Sequence, residues 1–293
     1  MMRPFLLPMA KSIFRIILAS LVAIFACDAR AQSQSGANPE TTPTPGPPAK
    51  NVYSLRFYTE GWKTQIVVNG IPIFERDKGS GRFPIENLVL NGPNKIDVKG
   101  TQIAEKAQEM EVVLLASDEV TGRTSTLSRA MGAPAKIGTV VNETIDFQGV
   151  VPMQWEWVKG AELPALTAAD NDEIYSQVKK LADCLNAKDL KTHNELRAVY
   201  LDETAQFEGI DRAGVESMSD EMYKKLFTGE TFPWRVRSRD QLNIEPHGKI
   251  TVVSAKEPWP DNWTIALKLS DTQDFTFSDL LFSKIAGKWV LIN

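Results

Sequence analysis

Three arginines at alternate positions are the most chemically suggestive side chains of this sequence. The chain after Trp234 contains Arg235, Arg237 and Arg239, and uncharged residues such as Val236 stand between them. Residues two apart in a strand share one face, so this spacing predicts three guanidinium groups side by side. Guanidinium groups bind carboxylates and other anions through paired hydrogen bonds, which suits an acidic partner surface or an anionic polymer. The alternative is a solvated sheet face whose arginines pair with nearby carboxylates.

Histidine is the candidate for acid–base chemistry. His193 could act as a general base oriented by Asp202 or Asp211, because histidine titrates near neutral pH. It directly follows Thr192 in a capping-box pattern, however, which predicts the first turn of a helix with the imidazole facing solvent. His247 lies in a predicted hairpin turn. We expect neither histidine to be catalytic.

Two tryptophans alternate along a predicted strand. Trp155 and Trp157 would project from one face, where two indoles could stack on sugar rings. Val151 and Met153 share their parity, so the strand also fits an apolar face that packs in the core. We favour core packing over polysaccharide binding.

A second pair of tryptophans flanks a predicted loop. Trp259 and Trp263 enclose residues 260–262, where an exposed indole could anchor a protein partner. The alternative is that one or both cap the sheet. Together with the three arginines, these tryptophans form the predicted partner-binding set.

The sequence contains no recognisable catalytic or metal-binding motif. Nucleotide-binding glycine loops, the zinc-protease motif and the nucleophile-elbow motif are all absent. Two histidines and two cysteines, Cys27 and Cys184, make a typical zinc site unexpected. We therefore expect no catalytic residues, no metal and no cofactor, and a protein that is not an enzyme.

The first 31 residues have the layout of a secretory signal peptide. Basic residues precede an apolar run at 16–26, and the small residues Ala29 and Ala31 stand at positions −3 and −1 before Gln32. This pattern predicts cleavage after Ala31 and a periplasmic or secreted protein. The apolar run is too short for a membrane span, which takes about 20 residues. No transmembrane span is therefore expected in the mature chain.

An alternative interpretation of the same segment is lipidation. Residues 24–27 resemble a bacterial lipobox, in which Cys27 would carry the lipid and tether the chain to a membrane. Phe25 departs from the small or aliphatic residue usual at that position. We favour cleavage after Ala31 over lipidation of Cys27.

Residues 32–50 read as a linker, and the charge of the chain limits its partners. The linker is rich in Pro, Thr, Ser and Gln and has no large apolar side chain, which is typical of an extended spacer. The whole chain has a net charge of −4. The predicted signal peptide is itself basic, so its removal makes the chain more acidic. Nucleic acid is therefore not an expected partner, since its binding requires a basic face.

Residues 51–165 have the pattern of an all-β domain. Short alternating segments are separated by turn signals, of which Asn69-Gly70 is the strongest because a type I′ turn needs two residues that tolerate positive φ. About seven such segments predict a β-sandwich. The stretches around Asn69-Gly70 and at 90–96 loosely resemble the accessory β-sandwiches of some carbohydrate-active proteins. That resemblance implies a shape and no activity.

Residues 166–293 predict an α+β domain. Apolar stripes such as Ile174, Val178, Leu181 and Leu185 indicate three helices, and period-two segments after residue 234 indicate strands. This order, with the closing hairpin at 282–292, resembles the nuclear-transport-factor-two-like cone fold, also seen in polyketide-cyclase-like and ketosteroid-isomerase-like proteins. The resemblance implies three helices packed on a curved antiparallel sheet. Enzymes of that family keep an Asp or His in the cone pocket, but no motif here assigns one.

The expected protein thus has two domains, 51–165 and 166–293, behind a signal peptide at 1–31 and a linker at 32–50. Two modules behind a spacer, without a catalytic motif, favour protein–protein recognition in the envelope, as in an adaptor or an immunity-type inhibitor. Two alternatives remain at this point. One is a small-molecule-binding or enzymatic cone, and the other is a protein that binds envelope polysaccharide.

Overall fold

The computed structural model describes residues 51–76, 79–118, 122–226, 233–257, 264–270, 273–277 and 279–293. The predicted signal peptide and linker lie outside these residues. So do Cys27, Trp259 and Trp263. The chain divides into two compact units, one containing 51–66 and 79–152 and the other containing 67–76 and 153–293.

The described residues up to 149 contain eight strands. They are β1 Asn51–Tyr58, β2 Trp62–Val68, β3 Ile71–Arg76, β4 Ser80–Pro84, β5 Gly92–Gln102, β6 Met110–Asp118, β7 Thr124–Gly132 and β8 Val140–Gly149. They form two four-stranded antiparallel sheets with the orders β4-β1-β6-β7 and β3-β2-β5-β8.

Alternation of buried and more accessible side chains accounts for several of these strands and is clearest on β2 and β5. On β1, Tyr53, Leu55 and Phe57 are buried on one face, as their spacing predicts. The turn between β2 and β3 has positive φ at both Asn69 and Gly70, so the predicted hairpin is confirmed.

Gly149 marks a close approach of backbone at the end of β8. It pairs with Gly92 across the ladder. A Cβ at Gly149 would collide with the Leu90 carbonyl and would stand 2.6 Å from both Asn94 Nδ2 and Val89 Cγ1. The Asn94 side chain already bonds the Leu90 amide and carbonyl, so it cannot yield easily.

We therefore expect Gly149→Ala to destabilise the protein by about 2 kcal/mol, since overpacking forces neighbouring groups to shift. Urea unfolding measures the difference. Gly214→Ala is the matched control, because Gly214 lies in a helix and a Cβ there would approach only the Asp211 carboxylate, at 3.2 Å. Equal effects of the two substitutions would contradict the close-approach argument.

The part of the second unit that the structure describes contains four helices. They are α1 Ala168–Ala187, α2 Leu190–Leu196, α3 Ala198–Glu208 and α4 Arg212–Leu226. The prediction of three helices was wrong, because the helix expected through residues 192–200 is interrupted at Arg197, whose φ and ψ are −99° and 19°. The predicted stripe on α1 is confirmed, with Ile174, Val178, Leu181 and Leu185 all buried.

Seven further strands follow the helices within the described ranges. They are β9 Arg235–Val236, β10 Leu242–His247, β11 Ile250–Ala255, β12 Ile265–Ser270, β13 Gln273–Phe277, β14 Leu280–Ile285 and β15 Lys288–Leu291. Their antiparallel sheets have the orders β10-β11-β14-β15 and β13-β12-β9. The described residues therefore form a mixed α and β protein with four antiparallel sheets.

The start of α1 is joined to the strand pair β14–β15. Thr167 is the N-cap and forms a capping box with Asp170. The Asp170 carboxylate also accepts hydrogen bonds from Lys284 Nζ at 2.6 Å and from Trp289 Nε1 at 3.1 Å. These bonds to the charged form, that from Lys284 first, hold the pKa of Asp170 well below its usual range. The carboxylate thus fixes the helix to the sheet.

Candidate recognition surface

The three sequence-predicted arginines do not form one row. Strand β9 contains only Arg235, which is exposed, and Val236. Arg237 is only 11% exposed and pairs with Glu257 at 3.1 Å. Arg239 begins a 3₁₀ turn and its Nη1 lies 3.5 Å from the Leu242 carbonyl.

The strand predicted through this region ends early because of a local capping motif. Ser238 and Gln241 form a capping box, in which the Gln241 side chain accepts from the Ser238 amide at 3.2 Å. This Ser-x-x-Gln spacing is visible in the sequence and predicts a helical turn. It takes Arg239 out of the β9 strand.

A row of arginines does occur, on the sheet β4-β1-β6-β7 of the first unit. Arg82 on β4 is directly opposite Arg56 on β1. Arg56 is opposite Val113 on β6, which is opposite Arg129 on β7. Directly opposed residues project from the same face, and neighbouring strands are about 4.8 Å apart. We call Arg82, Arg56 and Arg129 the arginine row.

All three arginines of the row are accessible. The side chains of Arg56 and Arg129 are 56% and 54% exposed, and Arg82 is exposed as well. They stand over Val113, which is itself buried. A row that crosses the sheet therefore presents positive charge to solvent.

One carboxylate lies within the row's surface. Glu111 on β6 is 3.8 Å from Arg56 and 3.4 Å from Arg129. Arg82 instead donates to two hydroxyls, to Ser54 Oγ at 2.7 Å and to Ser117 Oγ at 3.2 Å. On this face of the four strands, two guanidinium groups of the row thus share one carboxylate and the third is bound by hydroxyls.

A shallow groove of about 530 Å³ adjoins the row. Its walls include Arg56, Arg82 and Glu111 together with Tyr58 and Ser80. Its size is in the range of ligand-binding clefts, and its lining supplies both cationic and hydroxyl donors. The groove and the row together form one cationic surface on this sheet.

The sequence analysis missed this row because its members are not neighbours in the chain. Arg56, Arg82 and Arg129 lie on three different strands. Only the pairing register brings them together, and register depends on which strands pair. The alternating patterns around each arginine were visible, but no local signal joins them.

Trp155 and Trp157 are buried, so these indoles do not offer a sugar-stacking surface. The core packing that we favoured for them is confirmed. The predicted strand is wrong, because residues 156–159 form a 3₁₀ turn. Trp155 stacks on Phe207 of α3 with ring centroids 5.5 Å apart.

His193 is fully buried, which corrects its predicted solvent-facing position. Its ring meets the Tyr223 ring edge-on at 4.3 Å, and its Nδ1 lies 3.2 Å from Asn194 Oδ1. Burial, and then the nearby Arg197, lower the pKa of His193 to about 3. The imidazole is therefore neutral at neutral pH.

The carboxylates considered as partners of His193 are engaged elsewhere. Asp202 pairs with Arg212 at 2.5 Å. Asp211 accepts from the Gly214 amide at 2.6 Å, in the first turn of α4. His247 makes a 4.0 Å contact with Glu245, and its burial lowers its pKa. The structure does not assemble the predicted His–Asp base.

Glu203 is a buried acid that the sequence analysis did not identify. It accepts a hydrogen bond from the Glu156 amide at the start of the 3₁₀ turn. Burial raises the pKa of Glu203 to about 7. Its position in α3 gave no signal, since a glutamate on an amphipathic helix normally faces water.

The described part of the chain also bears on metal and membrane sites. Its residues contain no group of three or more His, Cys, Asp or Glu side chains able to hold a metal ion. Among them no helix combines the length and apolar character that a membrane span needs. Cys184 is buried, and its burial raises the pKa of the thiol to about 11.

Comparison with known protein families, with curated proteins and with solved structures finds no match to this chain. The surface chemistry of the described residues therefore carries the functional argument.

Proposed function

We propose that this chain is an exported, non-catalytic envelope protein that recognises an acidic surface of another protein. In this proposal residues 1–31 are a signal peptide, and the mature chain acts in the periplasm or outside the cell. The first unit is a β-sandwich that carries the recognition surface. The second unit is an α+β module of the nuclear-transport-factor-two-like cone type.

The observation that supports this proposal is the arginine row. Like charges placed directly opposite each other on neighbouring strands, as Arg82 and Arg56 are, reduce the stability of a sheet. A folded protein that needed only stability would not benefit from this arrangement. An acidic partner turns the same arrangement into an attraction.

Arginine is also the residue type best suited to such a surface. Its planar guanidinium binds a carboxylate through two parallel hydrogen bonds, and arginine is enriched among the side chains that dominate binding energy at interfaces. The single carboxylate of Glu111 keeps two of these arginines, Arg56 and Arg129, oriented in the free protein. A partner carboxylate can then replace or join it.

Capture from the native envelope tests the proposal. Changing Arg56, Arg82 and Arg129 together to Glu is expected to weaken binding of an acidic partner about 100-fold, because each attractive pair becomes repulsive. The bound protein is identified by mass spectrometry, and its affinity is then measured with the purified pair. Raising the salt concentration should weaken the native complex but not the residual binding of the variant.

A matched control changes three exposed cations outside the row, Lys95, Lys99 and Lys136, to Glu. This variant has the same net charge as the row variant and should retain binding. Recovery of the bait alone, or equal loss in both variants, would contradict recognition through the row. The exposed Arg235, changed to Glu, separately tests the surface predicted from sequence.

A second candidate function is a small-molecule site in the second unit. The observation that favours it is a pair of buried groups with displaced pKa values, His193 and Glu203, since such groups concentrate at functional sites. A ligand that binds there should protect the protein from unfolding. Its effect should disappear in His193→Gln or Glu203→Gln and persist in the arginine-row variant.

A further inference from the structure

Strand β7 has an unusual composition for the edge of a sheet. It is the last strand in the order β4-β1-β6-β7, and its nine residues contain one charged side chain, Arg129. Among the described residues no strand pairs with its outer edge. Long edge strands normally carry several charges or a proline to prevent pairing with another chain. On β7 this protection consists of Arg129 and of a β-bulge at residue 127.

The side chains beside Arg129 are apolar and accessible. Leu127 and Met131, two residues to either side, are 46% and 39% exposed. Leu127 sits at a β-bulge, because Leu115 pairs with Thr126 while Leu114 pairs with Ser128. Arg129 and Met131 therefore share the outward face of β7, whereas Leu127 is the extra residue of the bulge between Thr126 and Ser128.

Strand β8 lies close to β7 but, among the described residues, is not hydrogen-bonded to its edge. A Cβ built on the buried Gly132, which is opposite Met110, would meet the Met110 and Val141 side chains, so the contact with β8 at this point is on the inner face. An added strand would instead form its hydrogen bonds in the plane of the sheet.

We propose that β7 binds an extended acidic segment of the partner protein as a fifth strand of this sheet. This inference rests on the proposed recognition function and gives it a binding mode. Main-chain hydrogen bonds to β7 provide affinity, and alternate side chains provide specificity. The partner residue opposite Arg129 is a carboxylate, which extends the arginine row by one position. An apolar partner residue two positions from that carboxylate contacts Met131.

Charge selects this occupant over a second copy of the chain. Symmetric pairing of two β7 strands through Arg129 would oppose two arginines, which is unfavourable. Pairing of β7 with the acidic β8 of another copy remains an outcome to be tested, since β8 contains Glu143 and Asp146. That pairing would join molecules head to tail and would depend on protein concentration.

The probe is a fluorescent peptide with the sequence Thr-Val-Thr-Glu-Thr-Val-Thr, titrated with the full-length protein and followed by anisotropy. Arg129→Glu is expected to weaken binding of this peptide about tenfold. The attractive cross-strand pair between Arg129 and the peptide glutamate becomes a repulsive pair of two carboxylates. A peptide with lysine in place of glutamate should bind about tenfold more weakly to the native protein and recover part of its affinity for Arg129→Glu.

Methylation of the peptide backbone distinguishes strand addition from side-chain binding. In a strand at the edge of an antiparallel sheet, successive amides point alternately toward the neighbour and away from it. Methylating the alternate amides that point toward β7 should weaken binding about tenfold, because several main-chain hydrogen bonds are lost. Methylating those of the other parity should leave the affinity unchanged, and that peptide is the matched control.

Each outcome bears on one proposal. Equal effects of the two methylated peptides, or no binding of the probe, would overturn strand addition. If the arginine-row variant still lost its envelope partner, the recognition function would stand even though strand addition at β7 had failed. Concentration-dependent self-association in sedimentation, abolished by Glu143→Lys and Asp146→Lys, would assign the edge to a second copy and overturn the proposal.

Discussion

Replacing Asp170 by alanine is expected to lower the free energy of unfolding by about 3 kcal/mol, the lower end of the range of about 3–5 kcal/mol for breaking a buried ion pair, because the Lys284 side chain stays in partial contact with water. The carboxylate accepts from Thr167, Lys284 and Trp289. Without it the Lys284 ammonium and the indole N–H of Trp289 lose their partner inside the fold. Helix α1 also loses half of its capping box.

The matched control lies on the same helix. Asp183 pairs with Lys179 at 2.7 Å, and both side chains are well exposed. Asp183→Ala should therefore leave the stability nearly unchanged, because water screens an exposed i,i+4 pair. Urea unfolding of both variants at neutral pH measures the difference. Similar values for Asp170→Ala and Asp183→Ala would show that the Asp170 cluster does not fix the helix to the sheet.

Substitution of Glu203 by glutamine is expected to stabilise the protein at alkaline pH. Because the pKa of Glu203 is about 7 in the fold and 4.5 for an exposed glutamate, the folded state holds a proton that the unfolded state has released. The stability that this proton confers is complete below pH 4.5 and is lost as the pH rises through 7. Glu203→Gln should therefore gain about 3 kcal/mol at about pH 8 and almost nothing at about pH 4.

His193 has the opposite effect over an overlapping range. Its pKa is about 3 in the fold against 6.5 when exposed, so between these values the unfolded state binds the extra proton. Stability therefore falls as the pH drops from 6.5 toward 3. Between pH 4.5 and 6.5 the contributions of His193 and Glu203 cancel, and the native protein should show a flat profile there.

The two single variants separate these contributions. Urea unfolding from about pH 4 to about pH 8 should show a steady loss of stability with rising pH in His193→Gln, where only Glu203 remains. In Glu203→Gln the stability should instead rise up to about pH 6.5 and then level off, because only His193 remains. A gain of stability that was the same at every pH in Glu203→Gln would mean that this carboxyl has the same pKa in the folded and the unfolded protein, which would contradict the raised pKa.

Local patterns predicted those parts of the fold that local physics determines. The Asn69-Gly70 hairpin follows from the positive φ that both residues tolerate. The buried stripe of α1 follows from a period of about 3.6 residues. In both cases the residues that decide the structure are close together in the chain.

The candidate site depends on contacts between distant residues, and so it was not predictable. The arginine row requires a particular strand register. The burial of His193 depends on Tyr223, thirty positions away, which the pattern around Thr192 could not reveal. The end of the strand after Arg235 was, by contrast, predictable from local sequence. The capping box of Ser238 and Gln241 is a sequence pattern that indicates a helical turn, and it was overlooked.

The ligands of Asp170 also have a kinetic consequence. Lys284 and Trp289 lie 114 and 119 positions further along the chain, so α1 gains its fixed contact with the sheet only after these residues have been synthesised. Contacts between residues so far apart in the chain slow folding, because a long loop must close before they form. A nascent chain would therefore lack the contact between α1 and the sheet during most of its synthesis. An incompletely folded chain of this kind is what a translocation channel for unfolded polypeptides accepts.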